Sequence, residues 1–221
     1  CIIFLMSKFV CQQCGYESVG FLGKCPNCGE WNSLVEMVEE TNRRKTKSNR
    51  KSNNISSIKP ISLSSISSKK TSRLSTKIPE LDRVLGGGLV SGQVVLIAGE
   101  PGIGKSTILL EVSEKLGNVL YVCGEESASQ IAIRGQRLGI RSKGIELLEN
   151  TNVDDVIQTL SAITSPLSAI IVDSIQTMYT SDLSGMTGSV GQVRECAARL
   201  LRVCKEKEIP LFLVGHVTKE G

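Results

Sequence analysis

The hydrophobic pattern of residues 74–221 alternates between short apolar runs and amphipathic stretches. Apolar runs rich in β-branched residues predict strands at 94–98, 119–123, 145–148, 169–172 and 211–215. Stretches with helical spacing predict helices near 79–85, 105–116, 127–138, 154–163 and 190–205. Because continuous apolar strands alternate with helices, the pattern predicts an α/β domain with a mostly parallel sheet and helices on both faces.

The first 73 residues lack this alternation and divide into two parts. Residues 7–38 hold two closely spaced cysteine pairs and form a predicted small domain of their own. Residues 39–73 are rich in Ser, Asn, Lys and Arg, and this low complexity predicts a linker without a packed core. The expected organisation is therefore a ribbon at 7–38, a linker at 39–73 and an α/β core at 74–221.

The junction between the first predicted strand and its helix reads VVLIAGEPGIGKST, over residues 94–107. It fills the template G-x-x-x-x-G-K-[ST] in the required strand-loop-helix setting, which predicts a P-loop. Glycines turn backbone N–H groups inward and the helix N-terminus adds a positive dipole end, so the loop suits a triphosphate such as ATP. We expect Lys105 to reach the β- and γ-phosphates and Ser106 to ligate Mg²⁺. The predicted nucleotide-binding residues are Gly99, Glu100, Pro101, Gly102, Ile103, Gly104, Lys105, Ser106 and Thr107.

The ribbon contains two C-x-x-C-G knuckles with ten residues between them. Four thiolates suit tetrahedral Zn²⁺, and a unit of about 30 residues needs such a staple to fold. Two disulfides and an iron–sulfur cluster are the alternatives, and we favour zinc. The predicted ligands are Cys11, Cys14, Cys25 and Cys28.

Two further features of the first 73 residues each allow two interpretations. Tyr16, Phe21 and Trp31 lie between the knuckles, and we favour a miniature core around the metal over base stacking. The basic linker is either a solvated tether or a strap that attracts a polyanion.

Charge is distributed unevenly along the chain. Residues 43–73 carry ten Lys and Arg and no acid, so the remainder holds 16 basic against 22 acidic residues, a net charge of −6.

No apolar run reaches the roughly 18 residues of a membrane span, which predicts a soluble, cytoplasmic protein without a membrane partner. Met6 is a candidate start, with residues 1–5 outside the native chain.

Three predicted strands end in polar residues, where ligands of parallel sheets bind. Asp173 follows an apolar run, as in the Walker B form, and is expected to help hold Mg²⁺. Glu125 and Glu126 follow another strand, and either is a candidate base for hydrolysis or a helix cap. His216, the one histidine, is a candidate γ-phosphate sensor or a structural residue. With Lys105, these are the predicted catalytic residues.

The chain from residue 9 to 221 resembles the RadA (Sms) family of bacterial DNA-repair proteins. The segments that carry the resemblance are GKCPNCGEWN, ELDRVLGGGLVSG, GEPGIGKST, YVCGEES, IIVDSIQT, GQVRE and LVGHVTKEG. The resemblance implies a RecA-like ATPase core with an N-terminal zinc finger, in which Lys105, Ser106, Asp173 and Glu125 take the RecA-type catalytic positions. Cys123 stands where the family commonly has Ser.

The resemblance also implies a function in recombinational DNA repair. It implies an ATPase that acts on single-stranded or branched DNA, works with a recombinase of the RecA type, and assembles as a homo-oligomeric ring, expected to be a hexamer. Residues 178–189 would form a loop facing the ring axis. The family's K-N-R-F-G motif and Lon-protease-like domain do not occur in the sequence, so we expect a C-terminally truncated chain. The alternatives are a regulatory ATPase that acts on proteins and an inactive zinc-ribbon and nucleotide-binding module.

Overall fold

The computed structural model describes residues 8–37, 62, 73–141, 143–183 and 185–217. The described residues form a three-stranded antiparallel ribbon and an α/β core with a five-stranded sheet. The predicted linker at 39–73 lies almost entirely outside the described residues, so neither interpretation of its basic cluster is tested by the structure.

The ribbon consists of β1 (Lys8–Cys11), β2 (Glu17–Ser18) and β3 (Leu34–Met37), in the order β2-β1-β3. The pairing of β1 with β3 sets Cys11 opposite Leu34. Both side chains are buried, together with Cys25, and Phe9 and Cys14 pack against them. The interior of the ribbon is therefore built mainly of cysteine.

The aromatic residues of the ribbon do not form the expected miniature core. Phe21 and Trp31 are 60% and 68% exposed, and Tyr16 is 37% exposed. Phe21 packs edge to face against Phe9, with 5.8 Å between the ring centroids. The Lys24 ammonium lies 5.5 Å from the centroid of the Trp31 ring, a cation–π contact. The prediction is wrong for Phe21 and Trp31 because the cysteines and Leu34 already fill the interior.

The core follows the predicted alternation of strands and helices. Its strands and helices are α1 (Pro79–Val84), β4 (Val94–Gly99), α2 (Lys105–Leu116), β5 (Val119–Cys123), α3 (Ala128–Arg137), β6 (Ile145–Leu148), α4 (Val153–Ala162), β7 (Ala169–Asp173), α5 (Val190–Glu206) and β8 (Leu211–His216). A short 3-10 helix, Ile175–Thr177, follows β7. Each predicted strand and helix is present, with small differences at the ends.

The sheet order is β4-β8-β7-β5-β6 and every pairing is parallel. Strands β5 and β7 are buried along their whole length, as their unbroken apolar sequences require. One face packs against α4 and α5, and the other against α1, α2 and α3. The predicted parallel sheet with helices on both faces is confirmed. Strand β4 lies at the edge of the described sheet, and Leu96 is 62% exposed there.

Helix α3 begins with a complete capping box. The Ser127 hydroxyl accepts from the Gln130 amide, and the Gln130 side chain accepts from the Ser127 amide. Glu125 and Glu126 therefore do not cap this helix, which leaves their carboxylates for other contacts. Within the described residues, no helix has the length and apolar character needed to cross a bilayer.

Candidate nucleotide and metal sites

The polar strand ends of the core meet at one edge of the sheet. Strand pairing sets Gly99 of β4 opposite His216 of β8, and Asp173 of β7 opposite Cys123 of β5. Strand β8 lies between β4 and β7, so the P-loop, the histidine and the Walker B aspartate follow one another along the edge. This is the edge at which parallel sheets bind ligands.

The P-loop has the backbone that anion binding requires. Gly102 and Gly104 have φ values of 81° and 96°, which L side chains rarely adopt. Gly104 is also the N-cap of α2, and no side chain caps the first turn of the helix. The N–H groups of that turn are therefore available to a phosphate.

Lys105 is almost buried and already has three partners. Its ammonium donates to Gly99 O at 2.9 Å and Glu100 O at 2.8 Å, and lies 3.2 Å from His216 Nδ1. An ammonium can only donate, so Nδ1 is the acceptor and the neutral ring carries its hydrogen on Nε2. The contact with Lys105 therefore fixes the tautomer of His216.

The other nitrogen of His216 contacts Glu125. Nε2 lies 2.7 Å from Glu125 Oε1, and the Ser174 hydroxyl donates to the same oxygen at 2.5 Å. A chain of hydrogen bonds thus runs from Lys105 through His216 to Glu125. The residue before Glu125, Gly124, lies close to the 3-10 helix, since a Cβ there would be 2.0 Å from Thr177 Oγ1.

Asp173 is 7% exposed and is held by a tyrosine from the neighbouring strand. The hydroxyl of Tyr121, which is fully buried, donates to Asp173 Oδ2 at 2.6 Å. Burial and then the charge of Asp173 raise the pKa of Tyr121, so the hydroxyl keeps its proton. With Ser106, Asp173 supplies oxygen ligands of the kind that Mg²⁺ prefers.

Glu126 is engaged differently from Glu125. Its carboxylate forms an ion pair with Arg134 of α3, and none of its described contacts reaches Lys105 or His216. Of the predicted catalytic residues, the structure brings Lys105, His216 and Glu125 together and leaves Glu126 outside that chain. Their roles remain predictions.

Sequence reasoning did not identify Tyr121, Ser174 or Gly124 as part of the site. Tyr121 lies in an apolar strand, where a tyrosine is usually an ordinary core residue. The available signal is that two apolar strands of equal length end in Cys123 and Asp173 and can be aligned end to end. In that alignment Tyr121 lies two residues before the partner of Asp173, on the same face of the sheet.

The four knuckle cysteines form a cluster of the size that a single ion requires. Their sulfur atoms all lie within 4.8 Å of one another, and both the Cys11–Cys28 and Cys14–Cys25 separations are 3.6 Å. Four ligands at about 2.3 Å around tetrahedral zinc would be separated by roughly 3.8 Å. These distances fit a shared metal and not two disulfides, whose sulfur atoms would lie about 2.05 Å apart.

The first knuckle favours deprotonated sulfur. Burial alone would raise the pKa of Cys11, but hydrogen bonds with the side chain of Ser33 and the backbone of Cys14 and Gln13 lower it to about 6. The side chain of Asn27 is the main cause of a lowered pKa at Cys14. Both shifts favour the thiolate form, which is the form that binds metal.

The three described cysteines of the core have the opposite character. Burial raises the pKa of Cys123 and Cys196 to about 11, and that of Cys204 to about 12. We expect all three to resist iodoacetamide at pH 8 in the folded chain and to react after denaturation, as mass spectrometry of peptides would show. Rapid labelling of Cys204 in the folded chain would contradict this.

The same shifts predict a loss of stability in alkaline solution. The unfolded thiols lose protons near their ordinary pKa of about 8.5, whereas the folded ones keep theirs to about 11. The folded state therefore binds more protons in this window, and the free energy of unfolding should fall as pH rises through it. Urea titrations at pH 7.5 and pH 10 would measure the difference.

The fold and these two sites define a P-loop nucleotide-binding α/β protein joined to a four-cysteine metal ribbon. Residues 62–221 match the family model described as an AAA domain, and residues 9–36 match one described as a rubredoxin metal binding domain. The first match covers more than half of the chain, so the chain belongs to the AAA domain family.

The chain is similar to several proteins named DNA repair protein RadA. It is 46% identical over 223 residues to that of Bacillus subtilis (strain 168), and 46% identical over 218 residues to that of Aquifex aeolicus (strain VF5). Each alignment covers 97% of this chain and 47% of the relative, so the chain spans about half the length of these relatives. The resemblance found from the motifs is confirmed.

Proposed function

We propose that the chain is the ATP-hydrolysing portion of a DNA-repair protein that acts on single-stranded or branched DNA. The observation that supports it best is the hydrogen-bonded chain Lys105–His216–Glu125 beside Asp173, at the edge where a triphosphate would bind. The relatives' printed names supply the DNA-repair context.

Each group at this edge has a distinct task in hydrolysis. The P-loop amides and Lys105 bind the β- and γ-phosphates, and Glu125 accepts a proton from the attacking water. Ser174 and His216 hold Glu125 in position. Ser106 and Asp173 would hold Mg²⁺, which would supply positive charge to balance the charge that develops on the phosphates.

The proposed partners follow from the same resemblance. The chain would assemble with copies of itself as a ring, with a hexamer as the expected size, and would cooperate with a recombinase of the RecA type. Zinc is the metal proposed for the ribbon, because the sulfur separations fit one tetrahedral ion and closed four-cysteine sites typically hold zinc.

The test is ATP turnover with and without single-stranded DNA, with Lys105→Ala as the matched variant. Wild type should hydrolyse ATP faster with DNA. Lys105→Ala should bind ATP about 10- to 160-fold more weakly, as expected for a lost charged hydrogen bond worth about 1.5–3 kcal/mol. Turnover that responds to a protein and not to DNA favours the regulatory ATPase. ATP binding without turnover favours the inactive module.

A second prediction concerns weak attraction of DNA by the linker. Outside residues 43–73 the chain carries a net charge of −6, so we expect phosphate to contact mainly the linker. Replacement of its basic cluster by serine should remove most of the binding and lower the salt slope by about 4, at about 0.7 for each single-strand contact. The cluster consists of Arg43, Arg44, Lys45, Lys47, Arg50 and Lys51.

Fluorescence anisotropy of a labelled single strand at several salt concentrations would measure this slope. Replacement of Lys59, Lys69 and Lys70, which lie apart from the cluster, should have a smaller effect. Tight binding that survives loss of the cluster and high salt would place the DNA site in the core or the ribbon.

A further inference from the structure

The ribbon contacts the core at the end of the loop between β7 and α5, residues 178–189, called here the β7–α5 loop. The contact residue is Gln12, which lies inside the first knuckle between Cys11 and Cys14 and is 8% exposed. Its backbone carbonyl accepts from the Val190 amide at 3.2 Å, and its side-chain Oε1 accepts from the Ser189 hydroxyl at 3.1 Å. The side chain thus meets the start of α5.

Two glycines make room for the side chain of Gln12. A Cβ at Gly185 would lie 2.1 Å from Gln12 Oε1, and a Cβ at Gly191 would lie 2.6 Å from the same atom. We call this pair the glycine notch. Neither glycine has a positive φ, so a side chain at either position would meet the amide end of Gln12 and would require that amide to move.

The β7–α5 loop is held by the core at one end and by the ribbon at the other. Gln192 binds the first part through the Thr180 amide and the carbonyls of Thr180, Leu183 and Gly185. Arg199 adds an ion pair with Asp182 at 2.7 Å. Gly185 lies where the two parts meet, because Gln192 binds its carbonyl and Gln12 lies beside it. The end of the loop contacts Gln12 through Ser189, and Met186 is 85% exposed.

We propose that the metal-bound ribbon docks reversibly on the core of its own chain, with Gln12 in the glycine notch, and holds the end of the β7–α5 loop in place. The metal matters because Gln12 lies within a knuckle whose shape the Cys11 and Cys14 ligands set. This inference does not depend on ATP hydrolysis.

The contacts explain why docking of the ribbon on the core is reversible. Within the described residues, Gln12 Nε2 is buried without a hydrogen-bond partner, so release lets water satisfy a donor that docking leaves unpaired. The ion pair of Arg194 with Glu17 at 3.8 Å is more than half exposed at both ends and contributes little. Gly15 also lies close to the core, since a Cβ there would be 3.0 Å from Arg194 Nη2 and 3.4 Å from Val190 Cγ1. Gln12 supplies the buried hydrogen bonds of this contact.

Trp31 provides the readout, because it is the one tryptophan of the chain and lies in the ribbon. Time-resolved anisotropy of Trp31 in the intact, metal-loaded chain should show a docked ribbon rotating with the core. Gly191→Ala should introduce a fast component by displacing Gln12, although alanine itself favours the helix by about 1 kcal/mol. Gly135→Ala in α3 is the matched control, since its Cβ would meet neighbours only at 3.8 Å.

Hydrogen exchange would locate the effect within the loop. Gln12→Ala, or removal of the metal with a chelator, should speed amide exchange at 185–190 roughly five- to tenfold and leave 179–183 unchanged. Gln12→Ala combined with Gly191→Ala should release the ribbon no further than either alone, since both remove one contact. Metal content and far-UV circular dichroism confirm that these variants are folded.

Two outcomes would overturn the proposal. The first is anisotropy and exchange that are the same in wild type, Gln12→Ala and Gly191→Ala, which would mean that Gln12 holds nothing. The second is a slow Trp31 component that disappears on dilution, which would place the ribbon on a neighbouring copy. Because neither readout uses ATP, failure here is distinct from failure of the proposed ATPase.

Discussion

Replacing Glu125 with glutamine is expected to lower the rate of ATP hydrolysis by about 10²- to 10⁴-fold while ATP still binds. The amide has no basicity toward water, but its oxygen can still accept from Ser174 and His216, so the geometry of the site is kept. The residues proposed to bind phosphate are elsewhere, in the P-loop. Single-turnover hydrolysis and equilibrium binding of a fluorescent ATP analogue would separate the two effects.

Glu126→Gln is the companion variant, because the two acids are adjacent and only Glu125 contacts His216. A large loss with Glu126→Gln and none with Glu125→Gln would assign the base to Glu126. Equal turnover in all three proteins would remove the general base from the mechanism.

Cys14→Ala is expected to remove the metal and unfold the ribbon while the α/β core stays folded. Structural zinc sites contribute about 10–16 kcal/mol of apparent binding free energy in small peptides, and here that energy is folding energy. The ribbon has little else to stabilise it, since its interior consists of Cys11, Cys25 and Leu34 with Phe9 and Cys14 beside them.

Metal analysis of the purified chain and the amide NMR spectrum would measure this result. Cys196→Ala is the matched control, because this thiol is buried in the core and lies outside the metal cluster. It should keep one metal ion per chain and lose some core stability. A folded ribbon in metal-free Cys14→Ala would contradict the assignment, and iron in place of zinc would correct the metal.

The elements of the core could be predicted because their signals are local. Continuous apolar runs such as those of β5 and β7 correspond to buried strands, and the P-loop template spans only eight residues. The metal ligands could be predicted equally well, because the spacing of the cysteines within each C-x-x-C-G knuckle is visible in the sequence. These features do not depend on knowing how distant parts of the chain pack.

The contacts that position the site could not be predicted in the same way. Tyr121 and Asp173 are 52 residues apart, and Gln12 and Ser189 are 177 apart, so no local period relates them. The exposure of Trp31 could not be predicted for a related reason. Cysteine side chains and Leu34 fill the small interior of the ribbon, so the indole ring stays outside it.

The three contacts of the Lys105 ammonium bear on the heat of nucleotide binding. A phosphate has to take the place of one or both of the carbonyl oxygens while the contact with His216 is kept, so binding exchanges hydrogen bonds and does not simply add them. The enthalpy released at the phosphate is offset by the enthalpy of the contacts that break. Calorimetry should therefore record only a small exothermic contribution from this lysine, even though its removal weakens binding strongly.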